Sequence, residues 1–304
     1  MINMEKKLLV EDHIRRNKRQ TVVVCTLMAL LFIVVILAFG YIYFQNIYIA
    51  LIFAVPIGIG YVVITYSISV SSVIAAAKAR PANPNIREEK LLIHRVEEMS
   101  IAAGLPMPKV YVQDSEYINA FATGKNPKEG VICVTTGALR KLNQEELEGV
   151  ISHEMSHIKN YDILIATVTI GVVGAIALIS EIVFWSMFWG GGRSRGKGEG
   201  NLILLAIAIL LIILAPIFAR LTYLAISRRR EYLADSTGAY LSRNPEGLAK
   251  ALEKIKQDHP TTKPKGSKTV APLYISNPFK KMNASSLTST HPPIDERIRR
   301  LRSM

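Results

Sequence analysis

The sequence is poor in cysteine, and it carries no charge over one long stretch. Two cysteines, Cys25 and Cys133, in 304 residues exclude a disulfide framework and suit a reducing compartment. Residues 20–77 contain no Asp, Glu, Lys, Arg or His, which excludes an ordinary soluble fold for that part of the chain. A straight helix of that length would reach about 87 Å, nearly three hydrocarbon thicknesses, so the segment must fold back and cross a bilayer twice. It is also too long for a cleavable signal. Charged residues make up only 20% of the chain, below the roughly 25% usual in soluble domains. Disorder is excluded all the same, because half of the residues are apolar. No internal repeat is present. No zinc knuckle, RNP motif or recognition-helix pattern accompanies the basic excess, so no nucleic-acid partner is expected.

What is there begins with the placement of that excess, a net charge of +13. Lys6, Lys7, Arg15, Arg16, Lys18 and Arg19 precede the first expected span, residues 21–44. Lys78, Arg80 and Arg87 follow the second, residues 47–77. The connection near Gln45 and Asn46 is uncharged. Positive flanks around a neutral turn put both flanks in the cytoplasm. The prolines at Pro81 and Pro84 mark a boundary. Beyond them, residues 86–103 read as an amphipathic helix stopped by Gly104, with Leu92, Val96 and Met99 on one face. Residues 110–113, 117–122 and 131–135 read as strands, with 124–130 as a hairpin loop. Asn143 with Glu146 three residues on has the spacing of a capping box. The helix it opens is expected to run past Asp162. Asn244 and Pro245 open a later helix, and a last one follows Pro293.

Two more apolar stretches, 163–189 and 201–219, are long enough to span, joined by a Gly-rich linker at 190–200. Glu181 lies inside the first. Arg193, Arg195 and Lys197 in the linker run against the positive-inside rule if that linker is translocated.

The chemistry sits at Ser152-His153-Glu154-Met155-Ser156-His157. His153 and His157 are four apart, so both imidazoles leave one helix face and can reach one zinc ion. Glu154 stands beside them, where it can take a proton from the water that zinc activates. A catalytic zinc wants a third protein ligand and one open position. The metzincin pattern is excluded, because Asn160 and Ile163 stand where it needs Gly and His. A Glu from a later helix remains, and Glu231 is the leading candidate. The other reading of Glu231 is a salt bridge with the arginines before it. Asp235, one turn on, can accept the second N–H of a zinc histidine. An intramembrane protease would need this motif inside an apolar span, and residues 143–160 are too polar for that.

These motifs, with Asn119-Ala120-Phe121-Ala122-Thr123-Gly124, Arg230-Glu231-Tyr232-Leu233-Ala234-Asp235 and Thr290-His291-Pro292-Pro293-Ile294-Asp295-Glu296-Arg297, carry a resemblance. The chain resembles the HtpX-type membrane zinc metalloproteases, gluzincins related to the CAAX prenyl protease. The resemblance implies an endopeptidase with one Zn²⁺ per chain in the cell (inner) membrane, its catalytic domain cytoplasmic. It implies unfolded or misfolded membrane proteins as substrates, and the lipid bilayer as surroundings. It gives Asn119, Ala120, Phe121 and Ala122 the role of an edge strand that pairs with substrate. It makes His291 a catalytic donor to the oxyanion; the same residues also read as the start of the last helix. Arg297 is open between packing and a direct role.

The expected fold is therefore a mainly α membrane protein: four transmembrane helices plus an α+β zincin-like catalytic domain with a small sheet. Its parts would be an N-terminal hairpin (1–80), two protease halves (81–162 and 228–304) and an inserted hairpin (163–227).

Overall fold

The computed structural model describes residues 2–44, 46–168, 170, 181, 228–260, 262, 264–279 and 292–304. Most of the two apolar stretches at 163–189 and 201–219 lies outside these, as do the linker at 190–200 and His291. Among the described residues, two helices are long and apolar enough to cross a membrane. Two of the four expected spans are thus found, and the other two lie mostly outside the described residues. One lies within α1 (Ile2–Phe44) and the other is α2 (Ile47–Ala77).

The chain divides into two compact units. The smaller comprises Arg19–Ser69 and Val168–Thr222. In it, α1 and α2 meet where Phe32 stacks on Tyr61 with centroids 3.7 Å apart, and Val24, Met28 and Ala54 are buried. The connection is closed by the Asn46 side chain, which accepts the amides of Tyr48 and Ile49. Leu30, Ile52, Ile57, Val63 and Ile64 face outward and exposed. In water such a surface would be costly; in hydrocarbon it is the favoured exterior.

The larger unit comprises Met1–Lys18, Val70–Thr167 and Tyr223–Met304. Its sheet has the order β1-β2-β4-β3, with β1 (Ala79–Pro81), β2 (Lys109–Gln113), β3 (Ala120–Thr123) and β4 (Val131–Thr135). β2 and β4 are parallel; β1 and β3 run antiparallel at the two edges. β1 was not expected. Pro81 ends it, and a proline without an N–H is tolerated on an edge. The second expected strand is shorter than residues 117–122. Over Tyr117–Asn119 the Thr135 hydroxyl takes over from the ladder, accepting from Asn119 N–H (3.0 Å) and lying 2.6 Å from Tyr117 O.

Helix α3 (Arg87–Ala103) ends at Gly104, whose φ of 67° needs no β-carbon. Its buried face includes Leu92, Val96 and Met99, as expected. After α4 (Thr136–Lys141) comes α5 (Gln144–Lys159), opened by a complete capping box: Glu146 N–H reaches Asn143 Oδ1 at 2.9 Å, and Asn143 N–H reaches Glu146 Oε2 at 2.8 Å. α5 does not run past Asp162. It stops at Lys159, Tyr161 takes a left-handed φ of 58°, and helix resumes at 162. Later helices include α6 (Arg228–Ser242), α7 (Pro245–Gln257, capped by Asn244) and α8 (Ile294–Arg302). α6 crosses α5 closely. A β-carbon on Gly238 would stand 3.0 Å from His153 N and 3.1 Å from its Cα, so a larger residue there would crowd the backbone of α5.

Candidate metal centre

The close crossing of α5 and α6 brings the two halves of the chain to one point. His153 and His157 leave the same face of α5, and Glu231 enters from the first turn of α6. His153 Nε2 and His157 Nε2 are 3.2 Å apart. Glu231 Oε2 is 3.8 Å from the first, and its Oε1 is 3.7 Å from the second. Tetrahedral ligands at zinc distances of about 2.0–2.1 Å stand about 3.3 Å apart. The triangle therefore matches such an ion in donor type and in size. Among the described residues, these three form a group of ligand side chains within 4.8 Å of one another.

Carboxylates hold both imidazoles from behind. Asp235 Oδ1 lies 3.0 Å from His153 Nδ1, and Asp162 Oδ2 lies 3.1 Å from His157 Nδ1. Each occupies the ring nitrogen that faces away from the triangle, which turns Nε2 inward. Asp235 is held in turn by Arg297 of α8, through Nε to Oδ2 (2.9 Å) and Nη2 to Oδ1 (2.7 Å). Arg297 Nη1 is 3.3 Å from Glu231 Oε2. Arg230 Nε lies 3.7 Å from Asp162 Oδ1.

Burial tunes these groups. Burial raises the Glu154 carboxyl above its ordinary value, against the charges of His153 and His157, which lower it. A carboxyl moved toward neutrality suits a general base. Burial alone would raise Asp235, but the Arg297 charge and the hydrogen bonds from His153 and Arg297 together outweigh it and bring the group down to about 2. Burial alone would lower His157; the Asp162 hydrogen bond and the Glu231 charge prevail and raise it to about 9. A metal at Nε2 would displace that proton.

The triangle opens into a cleft lined by Ala122, Glu154, His157, Ile163 and Leu273 among others. One wall is the outer edge of β3. The N–H of Ala120 donates to Asn119 Oδ1 (3.1 Å) and its carbonyl accepts from Ile275 N–H (3.0 Å). Asn119 also donates to Ser276 O (2.7 Å), and Phe121 meets Tyr274 edge-on. Backbone groups alternate along an antiparallel pair, so Ala122 points its N–H and C=O outward as Ala120 does. Among the described residues, no backbone partner meets them.

The sequence reading thus finds His153, Glu154, His157, Glu231 and Asp235 in one place, and Ala122 beside them. Asn119, Ala120 and Phe121 are covered by residues 274–276. His291 lies outside the described residues. Asp162 had no assigned part and Arg297 was open. The signal for Asp162 was a carboxylate five residues beyond His157. For Arg297 it was a cation on the apolar face of the last helix.

A family model described as Peptidase family M48 matches residues 87–304. The chain is 40% identical over 300 residues to a protease HtpX homolog of Streptococcus uberis, covering 97% of this chain and 100% of that one. It is 47% identical over 247 residues to a protease HtpX homolog of Thermoanaerobacter pseudethanolicus, covering 79% of this chain and 80% of the other. The crystal structure of S. mikatae Ste24p aligns with a TM-score of 0.44 at 19% identity, over 78% of this chain and 57% of that chain.

Proposed function

The chain belongs to peptidase family M48, and from that we propose a membrane-anchored zinc endopeptidase that cuts unfolded or misfolded membrane proteins at the cytoplasmic face. The observation that carries the metal reading is the triangle of His153, His157 and Glu231 with sides of 3.2–3.8 Å. When bound there, a zinc ion supplies Lewis acidity that makes water a nucleophile near neutral pH and polarises a carbonyl.

The chain's own residues do the rest. Asp235 and Asp162 keep the two imidazoles aimed. The Glu154 carboxylate takes a proton from water as it attacks and returns it to the leaving nitrogen. No covalent intermediate forms on the protein. An extended substrate pairs with the outward N–H and C=O of Ala122, in the register left open by the cover over Asn119 and Ala120. His291 donates to the oxyanion, as the motif's resemblance implies. The cytoplasmic assignment is supported by the basic residues on either side of the first two spans.

The test pairs metal content with cleavage. Purified full-length protein should hold close to one zinc per chain and cut casein. Glu154→Gln should keep the zinc and lose cleavage by orders of magnitude. Near-normal cleavage by that variant overturns the mechanism, and a chain that takes up no zinc overturns the metal reading.

A further inference from the structure

The turn that ends α5 is held by a residue from the far end of the sequence. Asn17 on α1 is 1% exposed. Its Nδ2 donates to Asp162 Oδ1 at 3.0 Å and to the Asn160 carbonyl at 3.2 Å, across 145 and 143 positions. Between those two acceptors sits Tyr161 at φ 58°, a conformation that costs a residue with a β-carbon roughly 1–2 kcal/mol. The Lys18 ammonium lies 4.8 Å from the Tyr161 ring centre. Residues 17 and 18 thus grip all three residues of the turn.

The grip matters because of what Asp162 does with its other oxygen. Oδ2 meets His157 Nδ1 at 3.1 Å, while Oδ1 is shared between Asn17 and, farther off at 3.7 Å, Arg230 Nε. Without the Asn17 amide, Arg230 remains as an attractor on Oδ1, and the Asn160 carbonyl loses its side-chain tie to α1. The carboxylate is then free to turn toward Arg230 and away from the imidazole.

We infer that Asn17 is a positioning residue of the metal centre: its carboxamide locks the 160–162 turn and one oxygen of Asp162, so that the other oxygen aims His157 Nε2 at the metal. This rests on the zinc reading above. It makes α1 part of the site as well as an anchor.

The test measures zinc affinity by chelator competition on the full chain in detergent, with the unfolding midpoint of the metal-free protein alongside. Asn17→Ala should weaken zinc about tenfold or more, the range for residues that support a ligand from behind. Asn17→Leu keeps the volume and removes the donor, and should do the same if the alanine variant folds poorly. In an Asp162→Ala background, Asn17→Ala should weaken zinc no further, because its effect passes through Asp162. Two outcomes overturn the inference: wild-type zinc affinity in the Asn17 variants, even with a lowered midpoint, or losses that add in the double variant. If the wild type itself takes up no zinc, the zinc reading falls and this inference falls with it, a result distinct from either of those.

Discussion

Arg297 grips Asp235 with both arms of its guanidinium across 62 positions of sequence, and neither residue sees solvent. The pair joins the last helix to the one that carries Glu231. Arg297→Ala would leave Asp235 and Glu231 buried without their shared cation. Breaking one side of such a pair costs about 3–5 kcal/mol. The variant should unfold at clearly lower denaturant than wild type, and Arg297→Lys should recover only part of the loss, because an ammonium cannot make the two-armed contact. Equal midpoints for wild type and Arg297→Ala would contradict the role given to the pair.

Glu231 and Asp235 should separate in their zinc dependence. Glu231→Ala removes a ligand, so zinc should be lost on dialysis. Asp235→Ala removes the support of His153, and should weaken affinity or activity by about 10–100-fold. Stoichiometric zinc in Glu231→Ala with loss in Asp235→Ala would reverse the two assignments.

Ala122→Pro deletes one outward N–H on an edge strand and leaves the β3–β4 ladder intact. Cleavage of unfolded casein should show a KM raised about two- to tenfold, roughly what loss of one well-placed backbone hydrogen bond allows, with zinc content unchanged. A variant with wild-type KM would move the substrate away from β3.

Acid should loosen the larger unit through Glu89. Its carboxyl is held below the ordinary value by the Arg80 side chain, against its burial, with help from Asn83 N–H. A carboxyl lowered on folding adds stability above its unfolded pKa, and that stability is lost as pH falls through the folded value. Arg80→Met should therefore cost about 1 kcal/mol at pH 7, since Arg80 is partly exposed. The penalty should shrink below about pH 4.5, near the unfolded pKa of Glu. A penalty constant from pH 7 to pH 3 would assign the effect to packing.

Orientation is open to labelling. With Cys25 and Cys133 replaced, Asn46→Cys at the connection of α1 and α2 should react with an impermeant thiol reagent added outside intact cells. Lys128→Cys, exposed on the larger unit, should be protected there. The opposite pattern would reverse the topology.

Local signals survived folding where the residues that make them are neighbours in sequence. The capping box of Asn143 and Glu146, the left-handed Gly104, the Asn244 cap and the β3–β4 hairpin all belong to this kind. So does the metal motif, whose two histidines share a helix face by spacing alone. The break at Tyr161 was invisible because nothing nearby demands it: the grip comes from Asn17. β1 escaped because three residues ending in proline make no pattern, and pairing with β2 creates the strand. Arg297 stayed open because its partners lie 62 and 66 positions upstream, and a basic residue on the last turns of a chain ordinarily faces water.

The division of the ligands between α5 and α6 also sets a clock. His157 and Glu231 are 74 residues apart, and synthesis at about 5–20 residues per second puts roughly 4–15 s between their appearances. Arg297, which holds the second helix in place, follows still later. During that interval the emerging polypeptide carries two histidines and a base but no third ligand, beside its own unfolded segments. On the zinc reading, the order of synthesis thus delays a complete metal site until most of the chain has been made.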